Sequence, residues 1–395
     1  MMNRKKIVFF NDSLAGGGAE RVISNLVTEL CAKGYDIDIL LIQKRDIAYS
    51  LPENVNVYFA EDMPVTSRWG KLERKILERC MHLQVRYWNP LLRKLGCTKY
   101  PRVNQTRMFF YANYALPYRE YLKQNPHCTA VGFLIRSTIS MLMAAKGLPV
   151  KTVFCERNNP VRPDMPANIM KIRDRIVHRC DAAVFQTQDQ RDYYTWLRCP
   201  TTVIPNPVKE GLPQPWAGER RKEIVNFCRL NKQKNIPLLL GAFEMLLREH
   251  PDYTLRIYGQ GDEKDNLIAL AEEKGLAGSV FFEDFAPDVH ERIRDAAMYV
   301  CSSDFEGLSN SMLEALAIGQ PCVCTDCAGG GARMMICDHE NGILTPIRDV
   351  QAMYRAMKEI IEDPTLAQRL SAEAAKVREE LSIENIVGRW ETMIG

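Results

Sequence analysis

Residues 298–331 read MYVCSSDFEGLSNSMLEALAIGQPCVCTDCAGGG. An apolar run at Met298–Cys301 leads through a polar loop to a helical pattern at Ser311–Ile318, and then to a second apolar run at Pro321–Thr325. Apolar strands joined through a helix favour a parallel sheet covered on its faces, so this stretch sets the fold class as α/β. Glu306 precedes the helix and Glu314 lies inside it, eight positions on. At about 100° per residue those steps bring a side chain to within roughly 80° of its start, so both carboxylates can address one cleft. Gly307, Leu308, Ser309 and Asn310 supply small or polar residues at the helix N-terminus. Unpaired N–H groups and the macrodipole favour a phosphate there. A capped surface helix with two incidental glutamates fits the same spacing.

The alternation continues in both directions. Strands are predicted at Ile224–Cys228, Thr254–Tyr258, Ser279–Phe282 and Gly342–Leu344, with helices at Pro237–Glu249, Lys264–Lys274, Pro287–Asp295 and Val350–Asp363. Upstream, the five prolines between Pro200 and Gly218 are expected to break any regular element and to mark a domain junction. The amino-terminal half shows strands at Ile7–Asn11, Ile37–Ile42, Val55–Phe59, Ala130–Phe133, Lys151–Cys155 and Ala182–Gln186, and a helix at Ala19–Lys33 stopped by Gly34. The 395 residues exceed what one core usually serves. The expected organisation is a domain at 1–204, a second at 205–380, and a helix at 381–395 crossing back to the first.

Arg229, Lys232 and Lys234 follow directly on a predicted strand. Ligands bind at the carboxyl ends of strands in open α/β sheets, and a fixed guanidinium and ammonium there would stabilise a departing diphosphate as its charge develops. A solvated basic loop is the competing reading. Gly259 and Gly261 form a G-x-G after another strand, a weak signal that a tight turn explains equally well. Gly16, Gly17 and Gly18 are a stronger one, because they join the first strand to a helix whose N–H groups point at an approaching anion or sugar. Their spacing departs from G-x-G-x-x-G, so a dinucleotide-dependent redox enzyme is not supported. Glu156, Arg157 and Asn158 end a strand, where they bind an acceptor or form a buried ion pair. Cys322, Cys324 and Cys327 lack a second ligand pair at zinc-like distance, and the D-x-D of Asp36 and Asp38 straddles a strand start, so no metal is expected. His127 and His178 read as structural.

No stretch approaches the roughly 20 apolar residues of a membrane span. The opening MMNRKKIVFF has too short an apolar run for a signal peptide and reads as the first strand of a cytoplasmic protein. Thirteen cysteines, an odd number scattered along the chain, indicate reduced thiols. Between residues 68 and 107 lie Arg68, Lys71, Arg74, Lys75, Arg79, Arg86, Arg93, Lys94, Lys99, Arg102 and Arg107 against only Glu73 and Glu78, interleaved with aromatic and aliphatic residues. That composition suits a segment, about 64–107, resting on an anionic membrane face. A helical pair with a solvated basic side fits as well. No nucleic-acid-binding module surrounds it, and no nucleic-acid partner is expected.

Taken in order, GGGAERVISNL at 16–26, CERNNP at 155–160, VIPNPV at 203–208, the Arg229/Lys234 segment, residues 302–331 and DHENGIL at 338–344 resemble the GT-B-fold family of retaining glycosyltransferases often called family 4. The similarity covers nearly the whole chain and is most specific in the C-terminal half. Within the family, CERNNP and GGGAERV look most like members that build capsular, O-antigen or other lipid-linked surface glycans. The resemblance implies two Rossmann-like domains whose parallel sheets face a central cleft. It implies a UDP- or GDP-sugar clamped at its diphosphate by Arg229 and Lys234, with Glu306 facing the sugar hydroxyls and Glu314 holding the ribose. The backbone of Gly307, Leu308, Ser309 and Asn310 would complete these contacts, Gly259 would join the substrate-binding set, and Gly16–Gly18 would close over the cleft. Similar enzymes retain configuration without a placed protein nucleophile, the diphosphate accepting the acceptor's proton. Two departures, Met334 where relatives carry glutamate and Asp284 where they carry glycine, leave the base open. The expected reaction moves a hexose or N-acetylhexosamine from a UDP-sugar to a polyprenyl-diphosphate-linked glycan at the inner membrane face, with no cofactor. A nucleotide-sugar epimerase of the same architecture and a non-catalytic nucleotide-sugar-binding assembly partner are the rival readings.

Overall fold

The computed structural model describes residues 5–95, 102, 106–161 and 165–394. The chain forms two compact units, one of Met1–Phe185, Arg191–Ile204 and Val387–Gly395, the other of Gln186–Gln190 and Pro205–Ile386.

The first unit holds a seven-stranded sheet of β1 (Lys6–Asn11), β2 (Asp36–Leu41), β3 (Asn56–Phe59), β4 (Thr129–Phe133), β5 (Lys151–Glu156), β6 (Ala182–Phe185) and β7 (Thr201–Val203). Its order is β3-β2-β1-β4-β5-β6-β7 and every pairing is parallel. The sequence explains the parallel arrangement: Val8, Phe9 and Phe10 are successive and all fully buried, so both faces of β1 are covered, as crossover helices require. Phe10 meets Tyr118 edge-on at 5.0 Å, and Phe133 stacks on Trp390 at 5.8 Å. Residues 387–394 are tied to this unit further by Arg389 Nη2 donating to the Val203 carbonyl (2.7 Å) and by the Lys33–Glu391 ion pair (2.6 Å).

The second unit holds six parallel strands, β8 (Arg221–Phe227), β9 (Thr254–Tyr258), β10 (Val280–Glu283), β11 (Ala296–Cys301), β12 (Cys322–Thr325) and β13 (Ile343–Thr345), in the order β10-β9-β8-β11-β12-β13. Helix Ile236–Leu247 opens with Pro237 near its first position, where the missing N–H costs nothing, and buries Leu239, Leu240 and Phe243. These join a core that includes Met353 and Met357 of helix Val350–Glu362. In each sheet the order reverses once, between β1 and β4 and between β8 and β11. Those two points are where an α/β sheet opens a crevice at its carboxyl edge.

One expectation fails in the proline-rich stretch. Thr201–Val203 is a strand, β7, which pairs with β6 at the sheet edge. Three β-branched residues fit between Pro200 and the Ile204–Pro205 step, and an edge position needs no ladder on its far side. The excursion of Gln186–Gln190 into the second unit is held by Gln186 Nε2 donating to Asn206 Oδ1 (2.7 Å) and Thr187 Oγ1 donating to the Gly329 carbonyl (2.6 Å). The basic segment forms helix Arg68–Leu83, a π-helical turn Gln84–Trp88 and helix Asn89–Lys94; Lys99 lies outside the described residues.

Trp390 has no exposed surface and fills the space over Phe133. Trp390→Ala is expected to destabilise the first unit by about 3–5 kcal/mol. Hydrogen exchange should show lost protection in β4 and β5 with that of β8 and β11 retained, and equal loss in both sheets would contradict this assignment.

Candidate active site

The second unit supplies the denser cluster. β8 runs into a loop at 228–235 and β11 into a loop at 302–309, the two strand ends that flank the order reversal. The loops are stitched together by four hydrogen bonds: Gln233 Nε2 to the Phe305 carbonyl (2.8 Å), Asp304 N to the Gln233 carbonyl (2.9 Å), Ser302 Oγ to the Lys234 carbonyl (2.8 Å) and Asn235 Nδ2 to Asp304 Oδ1 (2.8 Å). Asn235 turns the chain with φ +44°, a left-handed conformation that asparagine tolerates. The result is an ion pair between Lys234 Nζ and Glu306 Oε1, with Ser303 Oγ donating to the same oxygen at 3.0 Å. Burial works against the Lys234 ammonium, but the Glu306 carboxylate outweighs it and holds the pKa above that of an ordinary lysine, so the site keeps its cation at neutral pH. Arg229, on the same loop, is exposed, and among the described residues no carboxylate forms an ion pair with it.

Glycines in two places make this packing sterically feasible. A Cβ on Gly259 would lie 1.9 Å from the Cys228 carbonyl oxygen and one on Gly261 2.0 Å from that of Leu230, so the G-x-G turn lies directly against the loop that carries Arg229. A Cβ on Gly329 would lie 1.6 Å from the Glu306 carbonyl oxygen, and Glu306 N donates to the Ala328 carbonyl at 3.0 Å. The glycine run at 329–331 therefore pins the backbone of Glu306.

Glu306 and Glu314 are not related as the sequence spacing suggests. The helix spans Asn310–Ala317, so Glu306 lies four residues before it and the angular argument does not apply. Their carboxylates meet separate partners, since Glu314 Oε2 is 2.7 Å from His290 Nε2 in a buried pair. His290 in turn presents its ring edge-on to Phe227 at 5.5 Å. Ser309 caps the helix by accepting from Met312 N (3.4 Å), while Gly307, Leu308 and Ser309 are buried. Asn310 Oδ1 accepts from Asn206 Nδ2 at 2.7 Å, and the same amide lies 3.3 Å from the Leu308 carbonyl. Asn206 of the VIPNPV motif is thus the buckle of this loop.

The first unit presents a different picture. The amides of Gly16 and Gly17 already donate to Glu20 Oε2, at 2.6 and 2.8 Å, and Ser13 Oγ donates to Glu20 Oε1 at 2.7 Å. The expectation that these amides face an incoming anion is corrected: the chain's own carboxylate, three and four residues on, folds back to accept from both. Gly18 begins the helix Gly18–Ala32. Glu156 is buried, accepting from Arg157 N (3.1 Å), Asn158 N (3.3 Å) and Tyr194 OH (2.7 Å), and it pairs with fully buried Arg173 at 3.4 Å. Of its two readings, the structure contains the buried ion pair. The Arg157 guanidinium lies over the rings of Phe133 (4.6 Å) and Trp390 (5.5 Å), and burial pulls its pKa down to about 10. Asn158 Oδ1 accepts from Asn159 N at 2.7 Å.

Sequence reasoning passed over the residues at the first sheet's own reversal. Asp12 follows β1, and its Oδ1 accepts from Ser137 N (3.2 Å), which follows β4. Between them Leu134 adopts φ +63°, an uncommon conformation for leucine of the kind that gathers at functional sites. Burial raises the Asp12 carboxyl pKa above the usual range, against the pull of the Arg136 guanidinium. The position of Asp12, one residue beyond a predicted strand, was the available signal; His290 and Asn206 are recruited by tertiary packing alone.

The other signals have plain fates. Asp38 is buried and paired with Lys6 (2.6 Å), and Asp284 is paired with Lys264 (2.6 Å). Among the described residues no group of three or more His, Cys, Asp or Glu is arranged to hold a metal ion, and no helix is long and apolar enough to cross a membrane.

Residues 211–377 match the family described as Glycosyl transferases group 1. A Haemophilus influenzae protein named uncharacterized glycosyltransferase is 24% identical over 396 residues, covering 99% of this chain and 100% of that one. The Campylobacter jejuni N-acetylgalactosamine-N,N'-diacetylbacillosaminyl-diphospho-undecaprenol 4-alpha-N-acetylgalactosaminyltransferase is 26% identical over 376 residues, covering 92% of each chain. Among solved structures, a TarM variant from S. aureus in complex with fondaparinux, alpha-GlcNAc-glycerol and UDP aligns with a TM-score of 0.74 at 15% identity, over 99% of this chain and 100% of that one. The two parallel-sheet units, the matched region and the relatives agree: residues 211–377 are similar to the group 1 glycosyl transferases, and the chain is a glycosyltransferase enzyme of the GT-B fold.

Proposed function

We propose that this enzyme transfers a hexose or N-acetylhexosamine, with retention, from a UDP-sugar to a polyprenyl-diphosphate-linked acceptor during assembly of a surface glycan at the inner membrane face, without a metal or other cofactor. The observation that carries the reading is the Lys234–Glu306 pair, with Arg229 on the same loop, at the order reversal of the second sheet. A cation held in place before the reaction stabilises a leaving diphosphate more than the intact donor, because charge grows on it as the sugar bond breaks. The Glu306 carboxylate, fixed by Lys234 and Ser303, is suited to accept from sugar hydroxyls, and Glu314 with His290 is suited to the ribose side. The name of the C. jejuni relative supports a lipid-diphosphate-linked acceptor, and the UDP bound to TarM supports the uridine nucleotide. On the acceptor side the reading assigns Asp12, with Arg136, to meet the incoming hydroxyl at the first sheet's reversal.

Turnover, ligand stabilisation and three sets of substitutions test this. Purified enzyme with UDP-sugars and a polyprenyl-diphosphate-linked acceptor should give an extended lipid product; an epimerised nucleotide sugar formed without acceptor, or UDP binding with no turnover of any donor, would overturn the reading. UDP at about 100 times its Kd should stabilise the fold by about 2.7 kcal/mol, read as a rise in melting temperature.

Arg229→Ala should lower kcat/KM by on the order of 10²–10³. Because removing Lys234 alone strands the Glu306 charge, Lys234→Met is best combined with Glu306→Gln; a double variant that melts as the native enzyme does and still transfers at full rate would sink the diphosphate clamp.

Asp12 carries a sign that can be checked. Its folded-state pKa lies above the ordinary carboxylate value, so its charge disfavours the fold increasingly as pH rises from about 4 through that raised value. Asp12→Asn keeps the acceptor for Ser137 N and removes the charge. The variant should melt higher than the native enzyme at about pH 7, the gap should close near pH 4, and transfer should fall.

A further inference from the structure

Fourteen large hydrophobic side chains are exposed among the described residues, and nine of them lie within residues 69–95. That segment is a nearly continuous helical rod, Arg68–Leu83, the π-helical turn and Asn89–Lys94, about 40 Å long at 1.5 Å per residue. Only Gly70 and Met81 of it are buried. Trp69 is 81% exposed and Trp88 61%. Isolated exposed apolar residues need no explanation, but a concentration of this kind marks a surface that meets something.

The order of residues round the rod identifies what it meets. At about 100° per residue, Trp69, Leu72, Ile76 and Leu83 fall within about 60° of one another. Gly70, Leu77 and Met81, which turn toward the protein body, lie about 130° away from that stripe. The apolar stripe therefore does not serve the enzyme's own core. Arg68, Lys71, Lys75 and Arg79 form a second row about 90° to one side of it. Across residues 68–94 eight basic residues face two acidic ones; Arg74 pairs with Glu78 at 3.1 Å and Arg86 lies over the Tyr87 ring at 5.6 Å. An aromatic and aliphatic stripe flanked by a row of cations, with tryptophan near both ends, matches the boundary of an anionic bilayer. There the apolar side chains enter the acyl edge, the indoles sit at headgroup level and the cations reach the phosphates. An acidic protein partner would offer no reason for the long unpaired apolar row to end in indoles.

We infer that residues 68–95 are a membrane-docking rod, which lies in the plane of an anionic lipid surface with Trp69, Leu72, Ile76, Leu83 and Trp88 inserted and Lys71, Lys75 and Arg79 on the headgroups. The docking deepens the lipid-linked acceptor reading, because it holds the enzyme where such a substrate resides. It is nevertheless separable from that reading, since vesicle binding needs no acceptor and transfer to a water-soluble acceptor analogue needs no vesicle.

The test uses the full chain and vesicles of phosphatidylcholine with or without phosphatidylglycerol. Sedimentation should recover the protein with the phosphatidylglycerol vesicles and not with pure phosphatidylcholine, and tryptophan emission should shift to the blue on binding. Removing each cation should cost about fivefold, so the triple change Lys71→Gln, Lys75→Gln and Arg79→Gln should weaken vesicle binding by on the order of 100-fold. The triple variant should keep the native rate on the water-soluble acceptor. In a Trp69→Phe, Trp88→Phe variant the blue shift should vanish while sedimentation persists. Equal recovery with both vesicle types, native affinity in the triple variant, an undiminished blue shift without the two indoles, or tighter binding to RNA than to vesicles would each overturn the docking.

Discussion

Lys234 and Glu306 constrain one another, and much of the second unit exists to hold them. Neither charge could stand alone where it is: removing water from an ammonium or a carboxylate is costly unless the opposite charge lies alongside. Their meeting requires two loops from neighbouring strands to run side by side, which explains the four hydrogen bonds between residues 233–235 and 302–305. It also explains the glycines, for a side chain at Gly259 or Gly329 would push one loop or the other aside. The pair, the stitching and the glycines form one device that presents a fixed cation and a fixed carboxylate at the carboxyl edge of a parallel sheet.

The two units use the same kind of crevice in opposite ways. At the reversal of the second sheet the charges are paired and the lysine remains protonated. At the reversal of the first, Asp12 is kept in surroundings that disfavour its charge, beside a leucine in a strained backbone conformation. Proteins retain such costs where a site needs them. The glycine loop that follows β1 is already satisfied by Glu20, so it behaves as a pre-set wall.

Period and punctuation made most of the fold legible. Runs such as Ile7–Asn11 and Met298–Cys301 are buried on both faces, and that continuous apolarity is what a parallel strand looks like from sequence. β7 was hidden because prolines on either side of Thr201–Val203 dominate a local reading, whereas its pairing is decided by the neighbouring β6. In the site, Lys234 and Glu306 were visible as residue types at strand ends, and the structure brings them into one ion pair. The relation drawn between Glu306 and Glu314 was not sound, because it assumed one helix where the chain has a loop and then a helix. His290 and Glu20 carried no usable signal: the first acts across twenty-four residues, and the second reads as an ordinary helix glutamate until its carboxylate is seen folded back on Gly16 and Gly17.

The composition of the units from non-contiguous pieces affects how the protein can be taken apart. Five residues from the middle of the chain and the last nine belong with the unit opposite to their sequence neighbours. No single scission can therefore release two intact halves. A fragment ending at Ile204 would lose the indole that lids Phe133, and its complement would lose the glutamine and threonine that hold Asn206 and Gly329. Half-proteins made by cutting at the proline-rich junction would each be missing part of their own interior, and their failure to fold would say nothing about whether either unit is an autonomous domain.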